Sequence, residues 1–245
     1  MNVISNIIKK NNIKFFCDSP LLKWRANTLL TKEPETILWI NNYASKSSVF
    51  YDLGSNIGVY SLYAASVNPN LNIFSFEPYI KNYSVLVKNI QINNYNNIHA
   101  FNIAISDKNQ LQAFIIGDER VGGSNFFNIK LKKKNLRLQK TISFSLDFLI
   151  KKYRFPTPNF LKIDIDKNER KVIKGMTNLL KKASLKSILI ELNSSSDIKF
   201  TKKFLKKFNF FPDEKYNNYL NHSDNRRRRN QNSSTNLVFK KGLNK

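Results

Sequence analysis

Short apolar runs alternate along the chain with longer segments in which apolar residues recur every three or four positions. The short runs are typical of buried strands and the longer segments of amphipathic helices. The pattern predicts strands over 49–53, 72–76, 98–103, 160–164, 187–192 and 236–240, and helices over 57–66, 79–92, 146–153, 168–181 and 199–208. Strands that alternate with helices are joined by right-handed crossovers, which place parallel strands in one sheet. The sequence therefore predicts an α/β fold with helices on both faces of a mostly parallel sheet.

The segment before the first predicted strand, residues 1–48, is predicted to be a helical lead-in. Pro34 suits the first turn of a helix, and Glu33 and Glu35 complement the helix dipole there. One domain is then expected over residues 49–245.

Residues 111–145 form a less regular insert with two strand-like runs, LQAFII and TISFS. The insert also contains GDERVGGSN, a polar loop in which Gly122 and Gly123 are adjacent. Flexible polar loops carry ligand contacts in many proteins, so these glycines are candidates for contact with a substrate. The polar stretch 221–235 is interpreted as a loop, because a predicted strand follows it.

Acidic or amide side chains occur where the predicted strands end. They are Asp52, Glu77, Asp107, Asp164, Asp166, Glu191 and Asn193. In an open parallel sheet, ligands bind at the carboxyl ends of the strands. These residues are therefore expected to meet at one edge of the sheet, although an Asp at a strand end also caps the next helix in many proteins.

The first strand ends in DLGSNIG, which carries two of the seven glycines in the chain. Gly54 and Gly58 allow the backbone to turn sharply. Without a Cβ at these positions, a ligand is expected to approach the backbone of Ser55 and Asn56 closely.

An adenosine cofactor is predicted from the end of the second strand, at Glu77 and Pro78. A carboxylate in this place accepts hydrogen bonds from both ribose hydroxyls. The middle glycine of the dinucleotide fingerprint is missing, and a pyrophosphate gains nothing from the Asp52 carboxylate. The cationic amino and sulfonium groups of S-adenosylmethionine do gain from it. Ser106 and Asp107, after the third strand, complete the predicted cofactor site.

The chain is strongly basic, with 41 Lys and Arg against 17 Asp and Glu and a net charge of +24. Lysines are spread along the chain, and they are densest in the runs 130–140 and 225–231. Such runs are either solvated loops or sites that attract phosphates or a membrane surface. Neither run interleaves aromatic residues on which bases would stack. We expect a small-molecule partner of anionic character, with weak membrane-surface association left open and no nucleic acid.

The composition argues against several other classes of protein. Cys17 is the single cysteine, so an internal disulfide or a Cys-rich zinc site is not expected. No apolar run has the length of a membrane-spanning helix or of a signal peptide core. His99 and His222 are isolated from each other. These features predict a cytoplasmic protein.

Several blocks of the sequence, in order, resemble the FkbM-type S-adenosylmethionine-dependent methyltransferases. The blocks are VFYDLGSNIGVYSLYAA, FSFEPYIKNYSVLVKNIQINN, AISD, SLDFLI, PNFLKIDIDKNERKVIKGM, ILIEL and the terminal NLVFKK. The resemblance covers roughly residues 30–241. It implies the seven-stranded Rossmann-like methyltransferase sheet with an antiparallel last strand. It also implies O-methylation, most often of sugar hydroxyls, and thus a small-molecule or glycan acceptor. One position departs from the family, because Asp166 is followed by Lys167 where the family usually has Gly.

Methylation of a hydroxyl requires a base that removes its proton. Strand alternation places Lys162, Asp164 and Asp166 on one face of the fourth strand. Asp164 is the first candidate for the general base and Asp166 the next. Lys162, Glu191 and Asn193 are candidates for acceptor contact.

Two alternatives remain open at this level. One is an RNA-directed methyltransferase that uses the basic runs, and the other is a cofactor-binding domain that has lost catalysis through Lys167. No metal is predicted: Asp164 and Asn193 offer the oxygen ligands of a divalent cation, but their spacing does not demand one.

Overall fold

The computed structural model describes residues 6–116, 118–123, 137–217 and 234–242. In chain order the helices and strands of these ranges are β1 (Ile7–Lys10), β2 (Ile13–Phe16), α1 (Pro20–Asn27), α2 (Pro34–Ala44), β3 (Val49–Leu53), α3 (Val59–Val67), β4 (Asn72–Phe76), α4 (Ile80–Asn93), β5 (Ile98–Phe101), β6 (Ala104–Ile105), β7 (Gln110–Ile115), β8 (Leu138–Phe144), α5 (Leu146–Tyr153), β9 (Phe160–Ile163), α6 (Glu169–Lys174), α7 (Thr177–Lys181), β10 (Ser187–Leu192), α8 (Ser195–Lys206), β11 (Phe210–Pro212) and β12 (Thr235–Lys241). The basic run 225–231 and His222 lie outside the described residues, as does most of the run 130–140.

A seven-stranded sheet in the order β11-β12-β10-β9-β3-β4-β5 organises the described residues. Strands β3, β4, β5, β9 and β10 pair in parallel, whereas β12 runs antiparallel to both β10 and β11. The chain enters this sheet at its centre with β3 and adds β4 and β5 outward on one side. It then returns to the centre and adds β9 on the other side of β3. This reversal leaves a crevice at the carboxyl ends of β3 and β9, the position where open α/β sheets bind ligands. The predicted mostly parallel sheet with an antiparallel last strand is confirmed.

Alternate residues of the central strands supply two separate cores, one on each face of the sheet. Phe50 and Phe160 stack at 4.3 Å between ring centroids on the face covered by α2 and α3. Their neighbours Tyr51 and Leu161 belong to the other core, which is covered by α5 to α8. Since both faces are buried, the strands read as nearly continuous apolar runs, as the sequence indicated.

The lead-in differs from its prediction. Residues 20–27 and 34–44 are helical, but residues 7–16 form a β-hairpin in place of the expected helix. Asn11 and Asn12 both have positive φ, at 50° and 63°, which is the backbone of a two-residue hairpin turn. Ile13 and Phe15 alternate inward and are fully buried, so the prediction of a wholly helical lead-in was wrong.

Helix α2 packs on the sheet and does not stand apart from it. Trp39 is fully buried against Phe50 and Phe160, and its indole Nε1 donates to Ser187 Oγ at 2.9 Å. The lead-in therefore contributes to the same core as the central strands.

Several boundaries also differ from prediction. The segment predicted as one helix over 168–181 is broken into α6 and α7 at Gly175, where a Cβ would lie 2.2 Å from the carbonyl oxygen of Ser106. Helix α8 begins earlier than predicted because Ser194 caps its first turn. Strand β11 was not predicted; it is three residues long and lies at the edge of the sheet.

The insert contributes a small second sheet in the order β6-β8-β7. Strands β7 and β8 pair antiparallel over their full described length, which agrees with the two predicted strand-like runs. In the described part of the chain, no helix has the length and hydropathy needed to cross a lipid bilayer.

Candidate active site

A cleft with a volume of about 260 Å³ opens at the carboxyl ends of the central strands. Its lining combines residues from the lead-in, the glycine loop, the ends of β4, β9 and β10, and the insert. These residues are Arg25, Lys32, Gly54, Asn56, Glu77, Pro78, Asn82, Gly123, Asp164, Ile165, Asp166, Glu191, Asn193 and Ser234. The topology thus brings together most of the strand-end residues that the sequence singled out.

The glycines of the loop after β3 serve close packing of the protein on itself. Gly54 has φ +79°, and a Cβ there would lie 1.8 Å from the carbonyl oxygen of Asp164. Gly58 has φ +87°, and a Cβ there would lie 2.4 Å from a methyl carbon of Leu86. The loop therefore needs glycine for its backbone conformation and for its contacts with β9 and α4. Close approach of a ligand, which the sequence suggested as the reason, is not needed to explain them.

Glu77 lies at the end of β4, with only 6% of its surface exposed. Its two carboxylate oxygens accept hydrogen bonds from the backbone N–H groups of Asn56 at 2.8 Å and Tyr79 at 2.9 Å. Burial raises the pKa of Glu77 to about 7, although these two hydrogen bonds oppose the shift. Each oxygen retains a further lone pair, so the side chain can also accept bonds from ribose hydroxyls.

Asp52 is placed differently from its prediction, beneath the loop and outside the cleft lining. It is 1% exposed, and its Oδ2 accepts a 2.6 Å hydrogen bond from Ser61 Oγ. Its other oxygen, Oδ1, has no hydrogen-bond partner among the described residues. Burial raises the pKa of Asp52, and the nearby Lys162 opposes this shift. Direct contact between Asp52 and the cofactor stays a prediction.

Lys162 anchors a buried group of charges below the cleft. It is 1% exposed, and its ammonium contacts Asp164 Oδ2 at 2.5 Å. Burial by itself lowers the pKa of Lys162, but the charges of Asp164, Glu33 and Asp52 raise it above the ordinary value. Lys162 is therefore a fixed cation and has no access to the cleft, in contrast to its expected contact with an acceptor.

Asp164 is held ionised by this cation. Burial would raise its pKa, but the charge of Lys162 and a hydrogen bond from Glu191 bring the pKa well below its usual range. A quarter of the side chain remains exposed to the cleft. A carboxylate with such a low pKa is a weak base, which bears on the predicted role of Asp164.

Asp166 and Glu191 have the opposite electrostatic environment. Burial and the charge of Asp164 raise the pKa of Asp166 to about 6. The charge of Asp164, followed by burial, raises the pKa of Glu191 to about 9, and Ser234 donates a hydrogen bond to Glu191 Oε1. Three carboxyl groups in one cleft thus have widely separated pKa values.

Lys167 occupies the position where the family usually has glycine, and its φ is +67°. That is the left-handed region, which glycine adopts without a steric penalty and most other residues do not. The backbone conformation of this loop is thus one that suits the missing glycine. The backbone N–H of Lys167 donates to Glu169 Oε1 at 3.1 Å, and burial raises the pKa of Glu169 to about 8. Glu169 lies in the first turn of α6.

The insert loop is attached to the glycine loop. Asn56 Nδ2 donates to the carbonyl of Gly123 at 3.1 Å, and Asn82 both donates to that carbonyl and accepts from the N–H of Gly122 at 2.7 Å. Arg25 Nε donates to the carbonyl of Gly122 at 2.6 Å. Gly123 lines the cleft, whereas Gly122 is outside the lining and accepts the hydrogen bond from Arg25; contact of either glycine with the substrate stays a prediction.

Several predicted residues are outside the lining of the cleft. Ser55 is buried, and its hydroxyl donates to the carbonyl of Asp52 at 2.7 Å. Ser106 and Asp107 lie next to Gly175, and the hydroxyl of Ser106 donates to Asp107 Oδ1 at 3.2 Å. Their contact with a cofactor also stays a prediction.

Sequence reasoning missed five lining residues, namely Arg25, Lys32, Asn82, Ile165 and Ser234. Arg25 and Lys32 lie in the lead-in, which was interpreted as a segment outside the domain. Asn82 lies in the first turn of α4, and Ser234 precedes β12. The signal that was available is Asn82, a polar residue that lies on the buried face of α4 with Val85, Leu86 and Asn89, soon after Glu77.

The sheet order, the crevice at its switch point and the acidic strand ends together define a Rossmann-like methyltransferase. The Methyltransferase FkbM domain family matches residues 52–217, and the chain belongs to this family. It is therefore a methyltransferase with S-adenosylmethionine as methyl donor. The resemblance noted in the sequence is confirmed.

Two curated proteins illustrate how far the similarity extends. The hexuronic acid methyltransferase AglP of Haloferax volcanii is 28% identical over 182 residues, which are 74% of this chain and 71% of that protein. Methyltransferase 1 of Beauveria bassiana is 23% identical over 145 residues, which are 53% of this chain and 58% of that protein.

Solved structures with the same architecture are more distant in sequence. The METTL16 methyltransferase domain aligns with a TM-score of 0.52 at 12% identity, covering 98% of this chain and 87% of that one. A putative rRNA methylase from Clostridium thermocellum aligns with a TM-score of 0.51 at 10% identity, covering 86% and 96%. At such low identity these similarities show the fold alone.

The cleft fits the donor chemistry of S-adenosylmethionine. Glu77 offers a buried carboxylate at the strand end where a ribose is expected. Asp164, kept ionised by Lys162, places a negative charge in the lining of the same cleft.

Proposed function

We propose that the chain transfers a methyl group from S-adenosylmethionine to a hydroxyl oxygen of a sugar. The observation that carries the proposal is the set of three carboxyl groups, Asp164, Asp166 and Glu191, in the same cleft as Glu77. One carboxylate suits the ribose, and the others suit a reaction in which a hydroxyl proton must be removed. The similarity to a protein named hexuronic acid methyltransferase supports a sugar as the acceptor.

Asp166 is the better candidate for the general base. A base is most effective when its pKa lies near the working pH, and the pKa of Asp166 is raised to about 6 by burial and by Asp164. Asp164 is held ionised by the ammonium of Lys162 at 2.5 Å and is a weak base, and its charge raises the pKa of Asp166 and Glu191. This reverses the order of preference that the sequence suggested, in which Asp164 came first.

The acceptor is proposed to lie against the end of β10. Asn193 and the protonated Glu191 both line the cleft there and offer hydrogen bonds to sugar hydroxyls. None of the described lining residues is aromatic, so this part of the cleft has no surface on which a base would stack. That supports a sugar in preference to RNA. A hexuronic acid carries a carboxylate, and an acceptor of this class also agrees with the net charge of +24.

Transfer of labelled methyl groups tests the proposal. The purified protein is incubated with labelled S-adenosylmethionine and, in parallel, a hexuronic acid glycoside, a neutral hexose glycoside or a short RNA. We expect label on the hexuronic acid glycoside. Label on RNA alone would contradict the proposal, and cofactor binding without turnover on any acceptor would favour the non-catalytic alternative.

Replacement of the carboxylates tests the role of Asp166. Asp166→Asn should lower kcat about 10²- to 10⁴-fold and leave the affinity for S-adenosylhomocysteine unchanged. The wild-type rate should fall as pH drops below about 6, because the base is then protonated. Glu214→Gln removes an exposed acid outside the cleft and is the matched control. If Asp166→Asn has near-normal turnover and Asp164→Asn does not, the base is Asp164.

A further inference from the structure

The backbone N–H groups of the glycine loop are already used within the protein. The N–H groups of Gly54 and Ser55 both donate to the carbonyl of Phe76. The N–H of Asn56 donates to the Glu77 carboxylate, and the N–H of Ile57 donates to Asn56 Oδ1. The N–H of Gly58 donates to the carbonyl of Ser55. In phosphate-binding loops these groups are the ones that hold an anion. In this chain the loop has no N–H group left to receive one.

S-adenosylmethionine carries one anionic group, the α-carboxylate of its methionine part. A buried carboxylate is costly unless it is paired or fully hydrogen-bonded. Asp164 and Asp166 are ionised at neutral pH and repel that group, and Glu77 does so in its ionised form. Since the loop cannot hold it, the carboxylate requires a side-chain cation.

Arg25 and Lys32 are the cations that line the described part of the cleft. Both also line a small adjoining crevice with Val59 and Tyr60, at the start of α3. The charge of Arg25 opposes the effect of burial on the pKa of both Glu77 and Asp166, so the guanidinium lies between the ribose end and the acceptor end of the cleft. Lys32 already forms an ion pair with Glu33.

The side chain of Arg25 is held in position before any ligand binds. Its Nε donates to the carbonyl of Gly122 at 2.6 Å, and Gly122 is in turn held by Asn82. This bond uses one of the five N–H groups of a guanidinium and neither of its terminal nitrogens. The terminal nitrogens can still form the two parallel hydrogen bonds that a carboxylate accepts from a guanidinium. A guanidinium fixed in this way loses little conformational entropy when it binds.

We propose that Arg25 binds the α-carboxylate of S-adenosylmethionine, with Lys32 adding positive charge nearby. The proposal rests on the assignment of this cleft to S-adenosylmethionine. It makes the lead-in, which lies outside the segment matched by the family, a part of the cofactor site.

Two ligands that differ in the amino acid part separate this role from others. S-adenosylhomocysteine carries the α-carboxylate, whereas 5′-methylthioadenosine keeps the adenosine and the sulfur and lacks it. Calorimetry with Arg25→Gln should show S-adenosylhomocysteine bound about 10- to 100-fold more weakly, the scale of hydrogen bonds to a charged group. The affinity for 5′-methylthioadenosine should stay within about threefold of wild type, since a change of that size corresponds to less than 1 kcal/mol.

Two further variants serve as controls. Lys23→Gln removes a cation from the same helix on its exposed side and should bind both ligands as wild type does. Arg25→Lys keeps the charge and loses the planar fork, so its affinity for S-adenosylhomocysteine should be intermediate. If Arg25→Gln does not fold, Arg25→Lys is the variant whose affinities are compared with those of the wild type.

The proposal is overturned if Arg25→Gln binds S-adenosylhomocysteine as wild type does. It is also overturned if both ligands are weakened equally, because Arg25 would then act by holding the insert loop through Gly122. Failure of the wild-type protein to bind S-adenosylhomocysteine at all would instead refute the cofactor assignment.

Discussion

Replacement of Lys167 by glycine should stabilise the protein. Lys167 has φ +67°, a conformation that an L-residue adopts at a cost of about 1–2 kcal/mol. Glycine has no such penalty in the folded state, but it gains about 0.5–1 kcal/mol of conformational freedom in the unfolded state. The difference predicts a net gain of about 0.5–1 kcal/mol in the free energy of unfolding.

The gain is measurable by thermal and urea unfolding. For a chain of this length, about 1 kcal/mol shifts Tm by roughly 2–4 °C. Arg154→Gly is a matched test, because Arg154 is also a basic residue with positive φ, at 57°, after the end of α5. Lys171→Gly, inside α6, should instead destabilise by about 1 kcal/mol, since its backbone is helical.

The same substitution should also affect the acidic side of the pH–rate profile. Burial and Asp164 raise the pKa of Asp166, and the charge of Lys167 opposes them. Without that charge the pKa of Asp166 rises further, so activity should be lost at a higher pH than in wild type. Lys167→Met should give the same pH shift without the gain in stability. If Arg154→Gly stabilises and Lys167→Gly does not, the left-handed backbone is not the dominant energetic feature of this loop.

Two further predictions concern the buried charges. Lys162→Met leaves Asp164, Asp52 and Glu33 without their shared cation and should destabilise the protein by about 3–5 kcal/mol at neutral pH. Because the pKa of Asp164 is lowered in the folded wild type, this loss of stability should shrink as the pH falls and the carboxyl groups of the variant become neutral. Urea unfolding across pH measures the effect, and an unchanged unfolding midpoint at pH 7 would contradict the prediction. The affinity for S-adenosylhomocysteine should decrease as pH falls through about 7, because the ribose binds the ionised form of Glu77 and burial has raised the pKa of Glu77 to about 7. In the Glu77→Gln variant, calorimetry should find binding that is weaker by about 1–3 kcal/mol at pH 8 and independent of pH. An unchanged affinity would remove Glu77 from the site.

The central sheet was predictable because its strands are buried on both faces. Runs such as VFYDL and SILIEL are mostly apolar, and each is followed by a helical pattern. The lead-in hairpin was missed although its signal was present: Asn11 and Asn12 are residues that accept positive φ, and IKFF alternates after them. The short strand β11 has no such pattern, since it is defined by pairing with β12.

The reason for the glycines was predicted only in part. A sharp turn at Gly54 follows from the local sequence. The carbonyl of Asp164 that excludes a Cβ there belongs to a strand more than a hundred residues later. Parallel pairing of β3 with β9 creates that contact, and no local pattern reports it.

The order of basicity among the acids depends on a contact that strand alternation does not show. Alternation places Lys162, Asp164 and Asp166 on one side, and the position of Asp164 at the predicted strand end made it the first candidate for the base. In the structure the ammonium of Lys162 contacts Asp164 alone of the two, at 2.5 Å, and the resulting negative charge raises the pKa of Asp166. The residue that is best paired is therefore the poorest base. The same reasoning applies wherever a buried lysine pairs with one of two neighbouring strand-end acids. The pairing keeps one carboxylate ionised, and the other carboxylate is then the one that can accept a proton near neutral pH.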